Sequence, residues 1–181
     1  MSHTWKAALV PSAFFDPASA REVLSRTVRL DPDDKVEYIS LPEFSAELVY
    51  SLSTSSAQSK PTDDDAQPDR VSDAPVILSE AKDLLPELYY LLKRLPEINE
   101  YNKIAASYGD GVLSLVICQG NNLLLANTFQ AADFTTAEYF IFMAVKKLQL
   151  NPEQSTIRFM TPLSGDEEMS LYHYFKAVES L

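Results

Sequence analysis

The stretch from Asn102 to Gln130 constrains the fold most. It reads as three apolar-rich runs, NKIAASY, VLSLVICQ and LLLANTFQ, separated by Gly109-Asp110-Gly111 and Gly120-Asn121-Asn122. Turns this short, built from glycine, aspartate and asparagine, join antiparallel strands because those residues tolerate the left-handed backbone of a tight hairpin. A three-stranded meander is therefore predicted. Its middle run, Val112 to Cys118, is almost continuously apolar, the pattern of a strand covered on both faces.

The meander is followed by Thr135-x-x-Glu138, a capping-box pattern that predicts a helix to about Leu148. Asn151-Pro152 breaks the chain, and Thr156 to Leu163 reads as another strand. Ser164 or Asp166 then starts a last helix, with Met169, Tyr172, His173 and Phe175 to Val178 along it. The predicted order is β-β-β-α-β-α.

Upstream, Trp5 to Pro11 reads as a strand, and Asp16-Pro17 as a cap and first turn of a helix reaching about Arg29. Asp31 to Asp34 is a turn, and Val36–Ser40 and Ala46–Leu52 are strands by their β-branched and aromatic content. Between Ser53 and Pro75 the composition changes: STSSAQSKPTDDDAQPDRVSDAP has Val71 as its one large apolar residue. Such a segment buries too little surface to offset its ordering entropy, so a flexible acidic linker is expected. Ser79 then caps a helix with an apolar stripe from Ala81 to Leu95, in which Pro86 either kinks the helix or marks its true first turn.

The chain carries 15 Lys plus Arg against 26 Asp plus Glu, a formal net charge of −11. A surface of that sign repels phosphate backbones and anionic lipid heads, which argues against nucleic acid and membrane binding. No run approaches the eighteen or so apolar residues of a membrane span, and a cytoplasmic location is expected. One cysteine, Cys118, permits no internal disulfide, and two histidines leave little for a zinc site.

The sequence also resembles an uncharacterised bacterial family assigned an actin-like ATPase fold. The residues that carry the resemblance are ALVPSAFFDP at 8–17, LVYSL at 48–52, LLLANTF at 123–129 and TTAEYFIF at 135–142. The resemblance implies an α/β, ribonuclease H-like fold with a mixed sheet. Residues 1–52 would then be the remnant of a first subdomain lacking its opening hairpin, and 53–75 the linker. Residues 76–181 would be a helix plus a second subdomain of β-β-β-α-β-α order.

In actin-like ATPases phosphates lie against glycine-containing hairpin turns. The resemblance therefore points to Gly109 and Gly111 as a phosphate turn, Asp110 as a carboxylate orienting magnesium, and Gly165 as the adenosine turn, with ATP and magnesium as cofactors. Turn geometry by itself favours Gly-Asp-Gly here as an ordinary hairpin turn, whatever the ligand. Only four glycines occur in the whole chain, and Pro162-Leu163-Ser164-Gly165-Asp166 has one where the family pattern has a pair. Degenerate turns weigh against ATP hydrolysis, and no cofactor is expected.

Other chemistry is thin. Asp63-Asp64-Asp65 reads as solvated linker, and Asp166-Glu167-Glu168 complements a helix dipole. His173 lacks a legible triad partner, and Cys118 in an apolar strand should be inert. The predicted helix 136–148 places Ala137, Phe140, Ile141, Ala144, Val145 and Leu148 on one face, and Tyr139, Phe142 and Met143 on another. A helix apolar around most of its circumference is buried on more than one side. Either the first subdomain or a protein partner, including a second copy, covers that second face.

Overall fold

The computed structural model describes residues 6–52 and 85–181. The acidic linker at 53–75, the Asp63–Asp65 run, the Ser79 cap and the start of the stripe at Ala81 lie outside the described residues.

Two sheets form. The larger has the order β6-β5-β4-β7-β8, from β4 (Asn102–Gly109), β5 (Val112–Gln119), β6 (Asn122–Gln130), β7 (Thr156–Phe159) and β8 (Ala177–Ser180). β4, β5 and β6 pair antiparallel, whereas β7 runs parallel to β4 and β8 parallel to β7. The smaller sheet is wholly antiparallel, in the order β1-β3-β2, from β1 (Ala7–Pro11), β2 (Lys35–Leu41) and β3 (Ala46–Leu52). Four α-helices stand among the described residues: α1 (Ala20–Thr27), α2 (Glu87–Arg94), α3 (Phe134–Lys147) and α4 (Gly165–Tyr172).

The meander has the predicted form because its turns carry the required residues. Asp110 and Gly111 are the two loop residues of the first hairpin, at φ 50° and 74°, both in the left-handed region. Gly120, at φ 58°, opens the second, and a Cβ there would sit 3.3 Å from the Tyr101 ring. β5 is buried on both faces, as its continuous apolar run demands. Leu113, Leu115 and Ile117 enter a core with Ile141 and Val145 of α3 and Leu171 of α4. Val116 and Cys118 enter a second core with Leu88, Leu91 and Leu92 of α2 and with Leu48 and Tyr50 of β3. Each fully buried leucine here contributes on the order of 1.5–3 kcal/mol of transfer free energy.

The layers therefore run from α3 and α4, through the large sheet, to α2 with the small sheet. A third, smaller core of Val10, Leu24 and Val49 seats α1 on the far face of the small sheet.

Several boundaries differ from expectation. Within the described residues the stripe forms α2 from Glu87, with Pro86 as its N-cap at extended φ and ψ, so the proline stands at the entry of this helix. α3 is capped by Asp133, whose carboxylate accepts the Thr136 N–H at 2.7 Å, two residues ahead of the expected Thr135. The last helix ends at Tyr172, and Phe175 to Val178 do not continue it. The chain turns through Phe175 N–H to Leu171 O (2.9 Å) and Lys176 N–H to Ser155 O (3.1 Å), then enters β8. The order is thus β-β-β-α-β-α-β. Phe175 and Val178, three apart, satisfy a helical stripe, but β7 has an unpaired outer edge that a parallel strand satisfies.

Candidate functional site

The Gly109-Asp110-Gly111 turn lies at the end of β4. Because β7 is parallel to β4, its C-terminal loop emerges at the same end of the sheet. Met160 N–H donates to Ala106 O at 2.8 Å, and Tyr108 N–H donates to the Thr161 hydroxyl at 2.9 Å. Those bonds set the 161–165 loop beside the turn. Gly165 is the first residue of α4, behind a capping box in which Ser164 N–H donates to Glu167 Oε2 at 2.8 Å. The Gly111 carbonyl is already occupied, accepting Ala131 N–H at 2.8 Å.

The electrostatics of this end are acidic. Tyr108 donates its hydroxyl proton to Ala131 O at 3.2 Å. Burial, then the Asp133 and Glu167 carboxylates, hold its pKa above the ordinary phenol value. Asp133 is held below the usual carboxylate range by the N–H of Thr136, which prefers the charged form.

A cavity of about 160 Å³ opens beside the turn on the α2 side, lined by Glu87, Gly109, Asp110, Val112, Ser114 and Thr128 together with Pro86. Ser107, Ser114 and Thr128 face one another across β4, β5 and β6 in register, and the Ser107 hydroxyl donates to Glu87 Oε2 at 2.7 Å. Magnesium and ATP fit this wall poorly. Two carboxylates and two hydroxyls suit a cation, but no lysine, arginine or histidine lines the cavity to offset phosphate charge.

A larger cavity of about 460 Å³ adjoins it, sharing Val112 and Thr128. Phe129 and Gln130 complete one wall, and Lys6, Val28, Arg29 and Asp31 of the small-sheet side form the other.

The remaining candidates take structural places. Cys118 is buried, and burial pushes its thiol up to about 11, which disfavours the nucleophilic thiolate. His173 caps the C-terminus of α4 and is exposed. Asp166, Glu167 and Glu168 form the first turn of α4. Among the described residues no three His, Cys, Asp or Glu side chains gather into a metal-binding group.

On the outer face of α3, Tyr139 is 63% exposed, while Phe142 and Met143 are half-buried. The Phe142 ring lies edge-on to Tyr174 at 4.7 Å and stacks on Phe175 at 5.9 Å. Tyr174 itself is 53% exposed, so the aromatic surface extends past α3 to the chain after α4. Sequence reasoning missed Tyr174, Glu87 and Thr161. Tyr174 was readable as one more aromatic at the end of α4, whereas Glu87 and Thr161 join the site through contacts 20 and 53 residues away.

No helix among the described residues is long and apolar enough to cross a membrane. No curated protein matches the sequence. A solved structure from Bacteroides thetaiotaomicron, a protein with an actin-like ATPase fold and unknown function, superposes with a TM-score of 0.69 at 16% identity. The match covers 97% of this chain and 65% of that one, so this chain spans less than two-thirds of its neighbour's length. The fold is therefore α/β of the actin-like ATPase, ribonuclease H-like kind. A family model matches residues 79–178, more than half of the chain, and the chain belongs to the family described as "Protein of unknown function (DUF3822)".

Proposed function

We propose that this protein is a non-catalytic module of actin-like fold that acts through protein contacts, with Tyr139, Phe142 and Met143 at the contact surface. The observation that carries the proposal is the exposed aromatic surface of α3, where Tyr139 stands in solvent and Tyr174 extends the patch from Phe142. Aromatic and methionine side chains are enriched at the centres of protein interfaces, and large apolar groups are seldom left together in water without use. The anionic wall beside the Gly109-Asp110-Gly111 turn weighs on the same side, since it opposes a polyphosphate.

Replacing Tyr139 by aspartate tests the contact surface. The side chain is largely exposed, so the expected stability change is within about 0.5 kcal/mol. Affinity capture from the native cell extract should yield a discrete partner, or a second copy, with the parent protein and lose it with Tyr139→Asp. Equal capture by both proteins ends the proposal. Phe142→Asp is the poorer probe, because Phe142 also packs against buried Phe175.

The absence of catalysis is tested separately. A ligand at one hundred times its Kd adds about 2.7 kcal/mol to a native state that alone binds it, roughly 5–10 °C for a domain of this size. Melting midpoints with and without millimolar Mg-ATP are expected to coincide. A rise seen with Mg-ATP and not with magnesium alone would favour a nucleotide site built on Gly109, Asp110, Gly111 and Gly165.

A further inference from the structure

β6 is the edge strand of the large sheet, and no described residue hydrogen-bonds to its outer side. An unpaired edge is a template for another strand, and proteins normally blunt it. The other edges here are blunted. β8 has four residues, and its Glu179 is tied to Arg158 at 2.6 Å. β2 carries Lys35 and Glu37, and β1 has five residues ending in Pro11. β6 is nine residues long, and the chain bears no charged residue between Asp110 and Asp133. A register shift against Ile117 and Cys118 disturbs its start near Leu124, but from Leu125 to Gln130 its pairing with β5 is regular.

The regular end borders the larger cavity. Thr128, Phe129 and Gln130 are consecutive and all line that space, so residues from both faces of the strand border it. Its volume of about 460 Å³ falls within the range of ligand pockets. Across it stand two cations and one anion. Lys6 is engaged by Asp31 at 2.9 Å and Asp34 at 2.8 Å. Arg29 is exposed and has no partner among the described residues. In a chain of net charge −11, a guanidinium that lines this cavity and has no ion-pair partner among the described residues is a selective feature.

We propose that this groove docks an extended peptide segment of a partner protein, which adds a strand to β6 and sets an acidic side chain against Arg29. Main-chain hydrogen bonds to the edge supply sequence-independent affinity, and the groove walls read alternate side chains. Val28, Val112 and Phe129 offer apolar contact, while arginine grips a carboxylate through two parallel N–H donors. The groove is distinct from the α3 surface, so either proposal stands or falls without the other.

The test uses the full chain and two capped six-residue peptides of alternating threonine and valine, one with a central glutamate and one with a lysine. Binding is read by fluorescence anisotropy and by hydrogen exchange of the β6 amides. The glutamate peptide should bind about tenfold tighter than the lysine peptide and slow exchange along β6. Arg29→Glu, an exposed substitution, should reverse the preference without moving the melting midpoint. Three results would overturn the proposal. The preference survives in Arg29→Glu; inorganic phosphate displaces the peptide at equal concentration, marking a simple anion site; or β6 protection rises with protein concentration alone, making a second copy the occupant.

Discussion

Lys6→Met is expected to cost about 3 kcal/mol of folding stability at neutral pH, measured as a lowered urea midpoint with unchanged slope. Lys6 Nζ lies 2.9 Å from Asp31 Oδ2 and 2.8 Å from Asp34 Oδ2. Asp34 is 5% exposed, so its carboxylate has little water to fall back on once the ammonium is gone. Its Oδ2 keeps one bond, from Asp31 N–H at 2.9 Å. Arg21 closes the other side of the loop, donating to Asp34 O at 2.6 Å and to Asp31 O at 3.0 Å. Breaking one partner of a buried pair strands the other, which costs more than the pair itself is worth. The low end of the range applies because the Lys6 side chain retains 20% exposure.

The pH dependence follows from the same contacts. The Lys6 hydrogen bond, then the Asp31 N–H, hold Asp34 below the usual aspartate pKa. That stabilisation is complete above the unfolded value of about 3.9 and is lost as pH falls through the lower native value. The Asp34 hydrogen bond raises Lys6 above the usual lysine value. Its contribution is complete below about 10.4 and is lost as pH rises through the native value. The gap between parent and Lys6→Met should therefore narrow below about pH 3.9. A gap as wide at pH 2 as at pH 7 would show that the pair is not what Lys6 contributes.

This pair also marks where sequence reasoning stops. The meander was legible because its turns are local: Asp110, Gly111 and Gly120 occupy left-handed backbone that their own chemistry permits. β5 was legible because double-sided burial leaves an unbroken apolar run. Lys6 and Asp34 are 28 residues apart, and Ser107 and Glu87 are 20 apart; no local spacing announces either bond. The α3 cap shows a nearer ambiguity. Asp133 and Thr135 are both good caps, and Glu138 three residues after Thr135 favoured the wrong one. In the fold Asp133 takes the role, and Glu138 Oε1 is left buried without a hydrogen-bond partner. At the candidate site the turn itself was readable, whereas its acidic surroundings were not, since Glu87, Asp133 and Glu167 come to it from three different helix starts.

Phe175→Ala should cost about 3–5 kcal/mol, and it separates the two readings of the chain's end. In a helix continued from α4, Phe175 would be one of several residues on a stripe, with Tyr174 beside it. In the fold observed, Phe175 is 4% exposed, stacks on Phe142 and joins the core of Ile157, Leu171 and Val178. It holds the reversal between α4 and β8, after which Lys176 N–H reaches Ser155 O and Leu181 N–H reaches Phe159 O at 2.9 Å. Removing the ring empties space between α3 and the sheet edge, and the surrounding strands can collapse into it only in part. Exchange protection of the β8 amides should fall together with global stability. Tyr174→Ser, at a side chain 53% exposed, should cost less than half as much and leave β8 protected. Equal costs for the two substitutions, with β8 amides unprotected in the parent, would mean that the chain ends in a helix and that the large sheet stops at β7.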